Sequence, residues 1–145
     1  MKAVLACVGV VALAIGLSAL AHRIHEQRAQ DALDAFYAAP ADVAALELGA
    51  LIRIEPLPGA ALPGARSYRI LYRTERMDGA PAVSGAMVFV PTAPAPSGGR
   101  PVLAYAHGTL GQGRGCAPSR RADPLGVNAA WLEQAVAEGF AVVAT

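Results

Sequence analysis

The sequence predicts a mixed α/β fold in which an antiparallel hairpin leads into a mainly parallel sheet. Two strand-like stretches, 67–74 and 82–90, lie on either side of a short polar turn. Two further stretches, 101–106 and 140–144, are apolar without alternation, which is typical of parallel strands buried on both faces. Residues 128–138 between them have helical periodicity. Strand, helix and strand therefore form a right-handed βαβ unit.

The hairpin prediction rests on alternation and on one turn. Tyr68, Ile70 and Tyr72 alternate with Arg69, Leu71 and Arg73, so one face of the first strand is lined with aromatic side chains. Asp78-Gly79 is a turn-forming pair, and the second strand is rich in β-branched residues. The proline-rich stretch 91–99 that follows is predicted to be a surface loop.

The helix prediction rests on its two ends and on one apolar stripe. Asn128 is a favourable N-cap residue, and Gly139 is suited to closing the helix. The stripe consists of Trp131, Leu132, Ala135 and Val136.

The N-terminal residues 1–21 are predicted to be a leader that directs export. Lys2 gives a positive start, and residues 3–21 are uncharged and apolar. Small residues at 19 and 21 suit cleavage before His22, yet the run is also about as long as a minimal membrane span of roughly 20 residues. The chain is therefore expected to be exported, and to be secreted, periplasmic or held at the membrane through residues 3–21.

Residues 22–66 are predicted to be a helical and extended segment ahead of the main domain. Leu33, Phe36 and Tyr37 share one face of a possible short helix, and Asp42 could cap a second helical turn. Prolines and glycine make 51–63 extended chain and turns. His22 and His25 have no third ligand nearby and are interpreted as ordinary polar residues, so no metal site is expected.

Composition excludes some classes of partner. The sequence has twelve basic and eleven acidic residues, and its net charge of +1 does not indicate nucleic-acid binding. The small basic cluster of Arg114, Arg120 and Arg121 is interpreted as a solvated loop. Of the two cysteines, Cys7 lies in the leader, which leaves Cys116 as a free thiol or one whose partner is absent.

The glycine-rich loop 107–115, directly after the first apolar strand, carries the functional signal. Gly108 and Gly113 have the spacing of a phosphate-binding loop, but Arg114-Gly115 stands where its Lys and Ser/Thr should be. Gly111, Gly113 and Gly115 do not fit the dinucleotide-binding pattern either. Two interpretations remain, an oxyanion hole built from backbone N–H groups and a merely structural connection.

A family resemblance favours the oxyanion hole. The strings His107-Gly108-Thr109 and Cys116-Ala117-Pro118-Ser119 resemble the secretory lipase family of the α/β-hydrolase superfamily. The resemblance extends back through 83–85, 68–72 and 36–37, and so covers nearly all of the chain after the leader.

The resemblance implies the N-terminal part of an α/β-hydrolase fold over residues 67–145 and a lipase or esterase activity on ester or lipid substrates. By it, the N–H groups of Thr109 and Leu110 form the oxyanion hole, and His107, Gly108 and Gly111 shape the loop. His107 would then bond loop carbonyls rather than act as catalytic base, and Gly108 would permit a path that a Cβ would obstruct. No metal or organic cofactor is implied.

The family's nucleophile motif, G-x-S-x-G, does not occur in the sequence. Ser84 is predicted to be a strand residue, Ser119 a turn residue, and Cys116 has no predicted partner to activate it. The 145 residues are therefore expected to be an incomplete hydrolase that ends before its Ser-Asp-His triad and is inactive alone. The alternatives are an exported, catalytically inactive binding or membrane-tethered module, or a peptidase or acyltransferase on the same fold.

Overall fold

The computed structural model describes residues 2–108 and 110–145, with side chains from Val8 onward. The chain divides into two compact units, Met1–Asp34 and Ala35–Thr145. The first unit consists mainly of one long helix, α1 (Lys2–Asp31). The second unit holds the sheet and the helix that packs on it.

Helix α1 extends well beyond the predicted leader. It continues without interruption past Ala21 and His22, because no glycine or proline lies between Gly16 and Asp31. Its large apolar side chains from Val8 to Ile24 are exposed. Among the described residues, one helical stretch, Val8–Tyr37, is long and apolar enough to cross a membrane, a test that signal sequences also pass.

The segment after α1 differs in part from the prediction. The expected short helix at 22–37 is replaced by the end of α1 and a single turn, α2 (Asp34–Tyr37). Asp42 precedes a short 3-10 turn, Val43–Ala45, but its side chain makes no capping hydrogen bond. Part of the stretch expected to be merely extended is a true strand, β1 (Leu51–Pro56), which pairs with the next strand along the chain.

The sheet has five strands in the order β1-β2-β3-β5-β4. After β1 come β2 (Ala65–Glu75), β3 (Pro81–Pro91), β4 (Val102–Tyr105) and β5 (Ala141–Ala144). The β1–β2, β2–β3 and β3–β5 pairs are antiparallel, and β4–β5 is parallel. The fold is mixed α/β, but the expectation of a mainly parallel sheet is wrong for these residues. A parallel pair needs a crossover, and one crossover helix is present in the described residues.

The predicted hairpin is confirmed as the pair β2–β3, each strand slightly longer than expected. Glu75 pairs with Pro81 at the turn, and Ala65 pairs with Pro91 at the far end. Gly79 has a φ of 79°, and the Asp78 carboxylate accepts a hydrogen bond from the Ala80 N–H at 3.0 Å. Asp78-Gly79 therefore closes the hairpin as the sequence indicates.

Helix α3 (Ala129–Ala137) covers one face of the sheet. Phe89 and Val142, neighbours on β3 and β5, are fully buried there with Leu132 and Val136 of α3. The helix ends in a Schellman motif, in which the Gly139 N–H bonds to Val136 and the Phe140 N–H bonds to Ala135.

Two details of the βαβ unit differ from the prediction. Asn128 stands at the N-cap but makes no capping bond, because its Oδ1 accepts from Trp131 Nε1 at 2.9 Å and from the Tyr105 hydroxyl at 3.3 Å. Strand β4 was expected to be buried on both faces, yet Val102 is 66% exposed and Ala104 is also exposed. Leu103 and Tyr105 pack against the core beneath α3, so Val102 and Ala104 lie on the opposite face of the strand. Within the described residues β4 also lies at the edge of the sheet.

Candidate functional site

The glycine-rich loop leaves the sheet at the carboxyl end of the parallel pair. The Thr145 N–H bonds to the Tyr105 carbonyl at 3.0 Å, so β4 and β5 end side by side. The loop starts directly after Tyr105 and runs to the short 3-10 turn Arg114–Cys116. In open sheets, the carboxyl ends of parallel strands form the edge at which ligands bind.

Of the two predicted oxyanion donors, one is described. Thr109 lies outside the described residues. Leu110 is exposed, and its N–H has no acceptor among the residues that the structure describes. An N–H without an acceptor in the protein can donate to a bound ligand, which an oxyanion donor must do.

The three residues predicted to shape the loop differ in their surroundings. His107 is half-buried, and its Nδ1 lies 2.7 Å from the Gly108 carbonyl oxygen, within the loop itself. A Cβ on Gly108 would meet open space, so the steric reason expected for that glycine does not hold. Gly111 is the constrained position, because its φ is 124° and an added Cβ would lie 2.6 Å from Cys116 Sγ.

The turn after the loop is fixed to the body of the sheet through Ser119. The Tyr37 hydroxyl donates to Ser119 Oγ at 2.7 Å, and Arg69 Nη1 donates to the Ser119 carbonyl at 3.0 Å. Both Ser119 and Arg69 are buried, at 6% and 5% exposed. We refer to Tyr37, Arg69, Ser119 and Arg120 together as the Ser119 clamp.

Two arginines of the clamp are stabilised by aromatic rings and by one carboxylate. The Arg120 guanidinium lies 4.4 Å from the centre of the Tyr37 ring, and Arg69 lies 5.1 Å from that of Phe36. Arg69 Nε also donates to Glu55 Oε1 at 2.9 Å, and its Nη2 contacts the same oxygen. Arg120 is buried, so its assignment to a solvated basic loop is wrong. Partners of this kind are what a buried guanidinium requires.

The face of β2 that carries Arg69, Leu71 and Arg73 is the more buried one. Cross-strand partners share a face, and Arg69 pairs with Met87, which packs in the core beneath α3. Tyr68, Ile70 and Tyr72 line the opposite face and are half-buried. Alternation therefore predicted two faces correctly, but could not show that the arginine face turns inward.

No nucleophile is assembled among the described residues. Ser84 lies within β3 opposite Tyr72, and Ser119 Oγ is engaged by Tyr37. The Cys116 thiol is free and packs on Gly111. No group of three or more His, Cys, Asp or Glu side chains that could hold a metal occurs in the described part of the chain.

Sequence reasoning missed the Ser119 clamp, although every stretch it uses had been noted. Phe36-Tyr37, the Tyr68–Tyr72 stretch, Gly85 and Cys116–Ser119 all carry the family resemblance, and in the structure they meet. A Cβ on Gly85 would lie 2.6 Å from Tyr37 Cε1, so the glycine makes room for the ring. The segments that carry the family resemblance were therefore the available signal for the clamp. The sequence alone does not show that these segments contact one another.

Comparison with known proteins supports the fold. No protein-family model matches the chain, and no curated protein matches it in sequence. The X-ray structure of Candida antarctica lipase A in its closed state is similar, with a TM-score of 0.56 and 21% sequence identity. A second X-ray structure of Candida antarctica lipase A gives the same values. The match covers 75% of this chain and 28% of the lipase chain. At this identity the likeness is one of fold, to part of a lipase.

Proposed function

We propose that the chain is the N-terminal part of an exported carboxylic-ester hydrolase of the lipase or esterase type. One observation carries the proposal, namely that the glycine-rich loop leaves the carboxyl end of a parallel strand in a fold similar to part of a lipase. The N–H groups of Thr109 and Leu110 are the proposed oxyanion donors. The Ser-Asp-His triad would come from sequence beyond these 145 residues, which match 28% of the lipase chain.

The proposed roles of the serine nucleophile and of the backbone N–H donors follow from the chemistry of ester hydrolysis. A serine oxygen attacks the ester carbonyl, and the carbonyl oxygen gains negative charge in the tetrahedral intermediate. Backbone N–H groups that point at this oxygen stabilise it, and removal of one donor typically costs about 10²–10³ in kcat. These donors require no metal or organic cofactor, but without a nucleophile they form no acyl-enzyme.

The test uses the gene product expressed together with the coding sequence that follows codon 145, which we call the longer gene product. Leu110→Pro removes the N–H, whereas Leu110→Ala keeps it. We expect hydrolysis of p-nitrophenyl esters that a serine-directed inhibitor abolishes, a loss of roughly 10²-fold or more in kcat for Leu110→Pro, and near-normal kcat for Leu110→Ala. Equal kcat in the two folded variants would exclude Leu110 as a donor, and absence of inhibitor-sensitive hydrolysis in the unaltered protein would exclude the hydrolase.

The same assay applied to residues 22–145 alone should give no hydrolysis above background, because the sequence lacks G-x-S-x-G. Turnover by this piece that a serine-directed inhibitor blocks would contradict the proposal, since a nucleophile would then lie within it.

A binding module is the second candidate, favoured by the half-buried face of Tyr68, Ile70 and Tyr72. The two candidates differ in their folding. A self-sufficient binding module should unfold cooperatively as residues 22–145, whereas part of a hydrolase domain should not.

A further inference from the structure

We propose that Tyr37 and Arg69 are positioning residues, which hold the glycine-rich loop in the shape that presents the Leu110 N–H. Their effect would reach the loop through two groups that lie between, the turn at Ser119 and the thiol of Cys116. This inference rests on the proposed hydrolase function for its catalytic consequence, but its structural part can be measured without any activity.

The first step is the attachment of the turn to β2. Tyr37 holds Ser119 by its side chain and Arg69 holds it by its carbonyl, at 2.7 Å and 3.0 Å. The turn Pro118–Arg120 is thereby bonded at two atoms to elements that lie 82 and 50 residues earlier in the chain. Two bonds of different direction to one residue fix both its position and its orientation.

The second step runs from this turn to the loop. The Arg120 N–H bonds to the Ala117 carbonyl at 3.0 Å, and the Cys116 N–H bonds to the Gly113 carbonyl at 2.9 Å. Cys116 therefore sits between the Ser119 clamp and the loop. Its Sγ lies 2.6 Å from where a Cβ of Gly111 would be, so it packs directly on the loop backbone next to Leu110.

The third step is the rigidity of the clamp. Arg69 is nearly fully buried, and its guanidinium is held by Glu55, by the Ser119 carbonyl and by the Phe36 ring. A lysine could not reproduce this, because an ammonium lacks the planar set of donors that reaches Glu55 and Ser119 together. Tyr37 is similarly held, between the Arg120 guanidinium and Gly85.

Thiol labelling of Cys116 tests the structural part. We would use the longer gene product that the hydrolase proposal implies, and would measure the label on the Cys116 peptide by mass analysis. The double variant Tyr37→Phe, Ser119→Ala keeps the aromatic ring and removes the hydrogen bond. We expect its labelling rate to rise about five- to tenfold, because the turn opens more often. Tyr72→Phe removes a hydroxyl from the opposite face of β2 and should leave the rate unchanged.

Kinetics of the longer gene product test the catalytic part. We expect Tyr37→Phe, Ser119→Ala and, separately, Arg69→Lys to lower kcat about five- to tenfold with KM within twofold, since oxyanion donors act in the transition state. Tyr72→Phe should match the unaltered protein. A loss of thermal stability with unchanged kcat would mean that the clamp is only structural.

The two proposals fail in different ways. If Leu110→Pro lowers kcat but the clamp variants change neither the labelling rate nor kcat, the positioning inference is wrong and the hydrolase proposal stands. If the clamp variants speed labelling but Leu110→Pro leaves kcat unaffected, the clamp holds the loop, but Leu110 is not an oxyanion donor and the positioning inference loses its catalytic part. Unchanged labelling in the double variant overturns the inference whatever the kinetics show.

Discussion

At the scale of single residues, the space around a glycine determines whether a larger side chain can replace it. Gly85 and Gly98 are both glycines of the 67–145 region without a positive φ. Gly85 faces the Tyr37 ring and the Ile70 carbonyl, whereas nothing lies within 4 Å of a Cβ added to Gly98. The pair therefore offers one substitution that the fold should resist and one that it should accept.

We expect Gly85→Ala to lower the free energy of unfolding by about 1–3 kcal/mol, the usual effect of overpacking a filled site. The new methyl group would displace the Tyr37 ring, and with it the bond to Ser119. Denaturant unfolding of the longer gene product measures the change. Gly98→Ala is the control and should shift the unfolding free energy by less than about 0.5 kcal/mol. Equal effects of the two substitutions would show that Tyr37 does not occupy this position.

At the scale of elements, strand β4 combines an unpaired edge with exposed apolar side chains. It pairs on one side with β5, and Val102 and Ala104 on it are exposed. An apolar edge strand with free backbone groups attracts other strands. Under the proposed hydrolase function, the same edge would pair with a further strand of the sheet. The edge that would promote association of these residues alone would then be covered.

We expect Val102→Lys to reduce aggregation of residues 22–145, because charged side chains on an edge oppose strand-to-strand pairing. Met77→Lys is the matched control, since it adds the same charge to a fully exposed apolar residue in the hairpin turn. Light scattering of both variants at equal concentration measures the difference. Aggregation that both lysines suppress alike would indicate a general effect of charge and would contradict a role for the edge.

Local signals were sufficient for some elements and not for others. The β2–β3 hairpin and the end of α3 follow from Asp78-Gly79 and Gly139, whose backbone preferences act within a few residues. The Arg69 side of β2 was not predictable as a buried face, because its burial depends on Glu55 and Ser119, which are distant in sequence. Asn128 fits a cap by type, but Trp131 competes successfully for its oxygen.

The candidate site shows the same division. Its place after β4 and the glycine-rich composition of the loop were predictable from sequence. The identity of the constrained glycine was not, because Gly111 differs from Gly108 in its φ of 124° and in its contact with Cys116, and the sequence shows neither. Contacts of this kind become visible when the path of the chain is known.

At the scale of the whole molecule, α1 exposes its large apolar side chains along its length, whereas the sheet unit has a buried apolar core. The apolar side chains of α1 from Val8 to Leu20 are mostly more than half exposed, while the large apolar side chains Phe89, Leu71, Leu132 and Val142 are fully buried. A helix that is apolar on all sides is stable against lipid rather than water. This contrast supports the proposal of membrane association before any processing of the leader.

We expect the intact 145-residue chain to remain with membranes after alkaline carbonate extraction, and residues 22–145 to be released. Leu13→Arg, near the middle of the apolar run, should weaken retention, since an arginine at the centre of a spanning helix costs about 2.5–3.5 kcal/mol on insertion scales. Met77→Arg carries the same charge outside α1 and serves as the control. Mass analysis of exported protein adds a second measurement: an N-terminus at His22 would indicate a cleaved leader. Release of the intact chain into the soluble fraction would contradict membrane association.

The bond between Tyr37 and Ser119 spans 82 residues, and this separation dictates an order of events during synthesis. The β2–β3 hairpin closes over a few residues and can form as soon as it leaves the ribosome, whereas Tyr37 cannot bond to Ser119 until 82 further residues have been made. Closing so long a loop carries a larger entropic cost, which slows the step and leaves the nascent chain partly open for longer. If the chain is exported unfolded, as the proposed function implies, this delay would keep the Ser119 clamp open during transport. The contact between the beginning of the sheet unit and the turn after the glycine-rich loop therefore forms later than the hairpin.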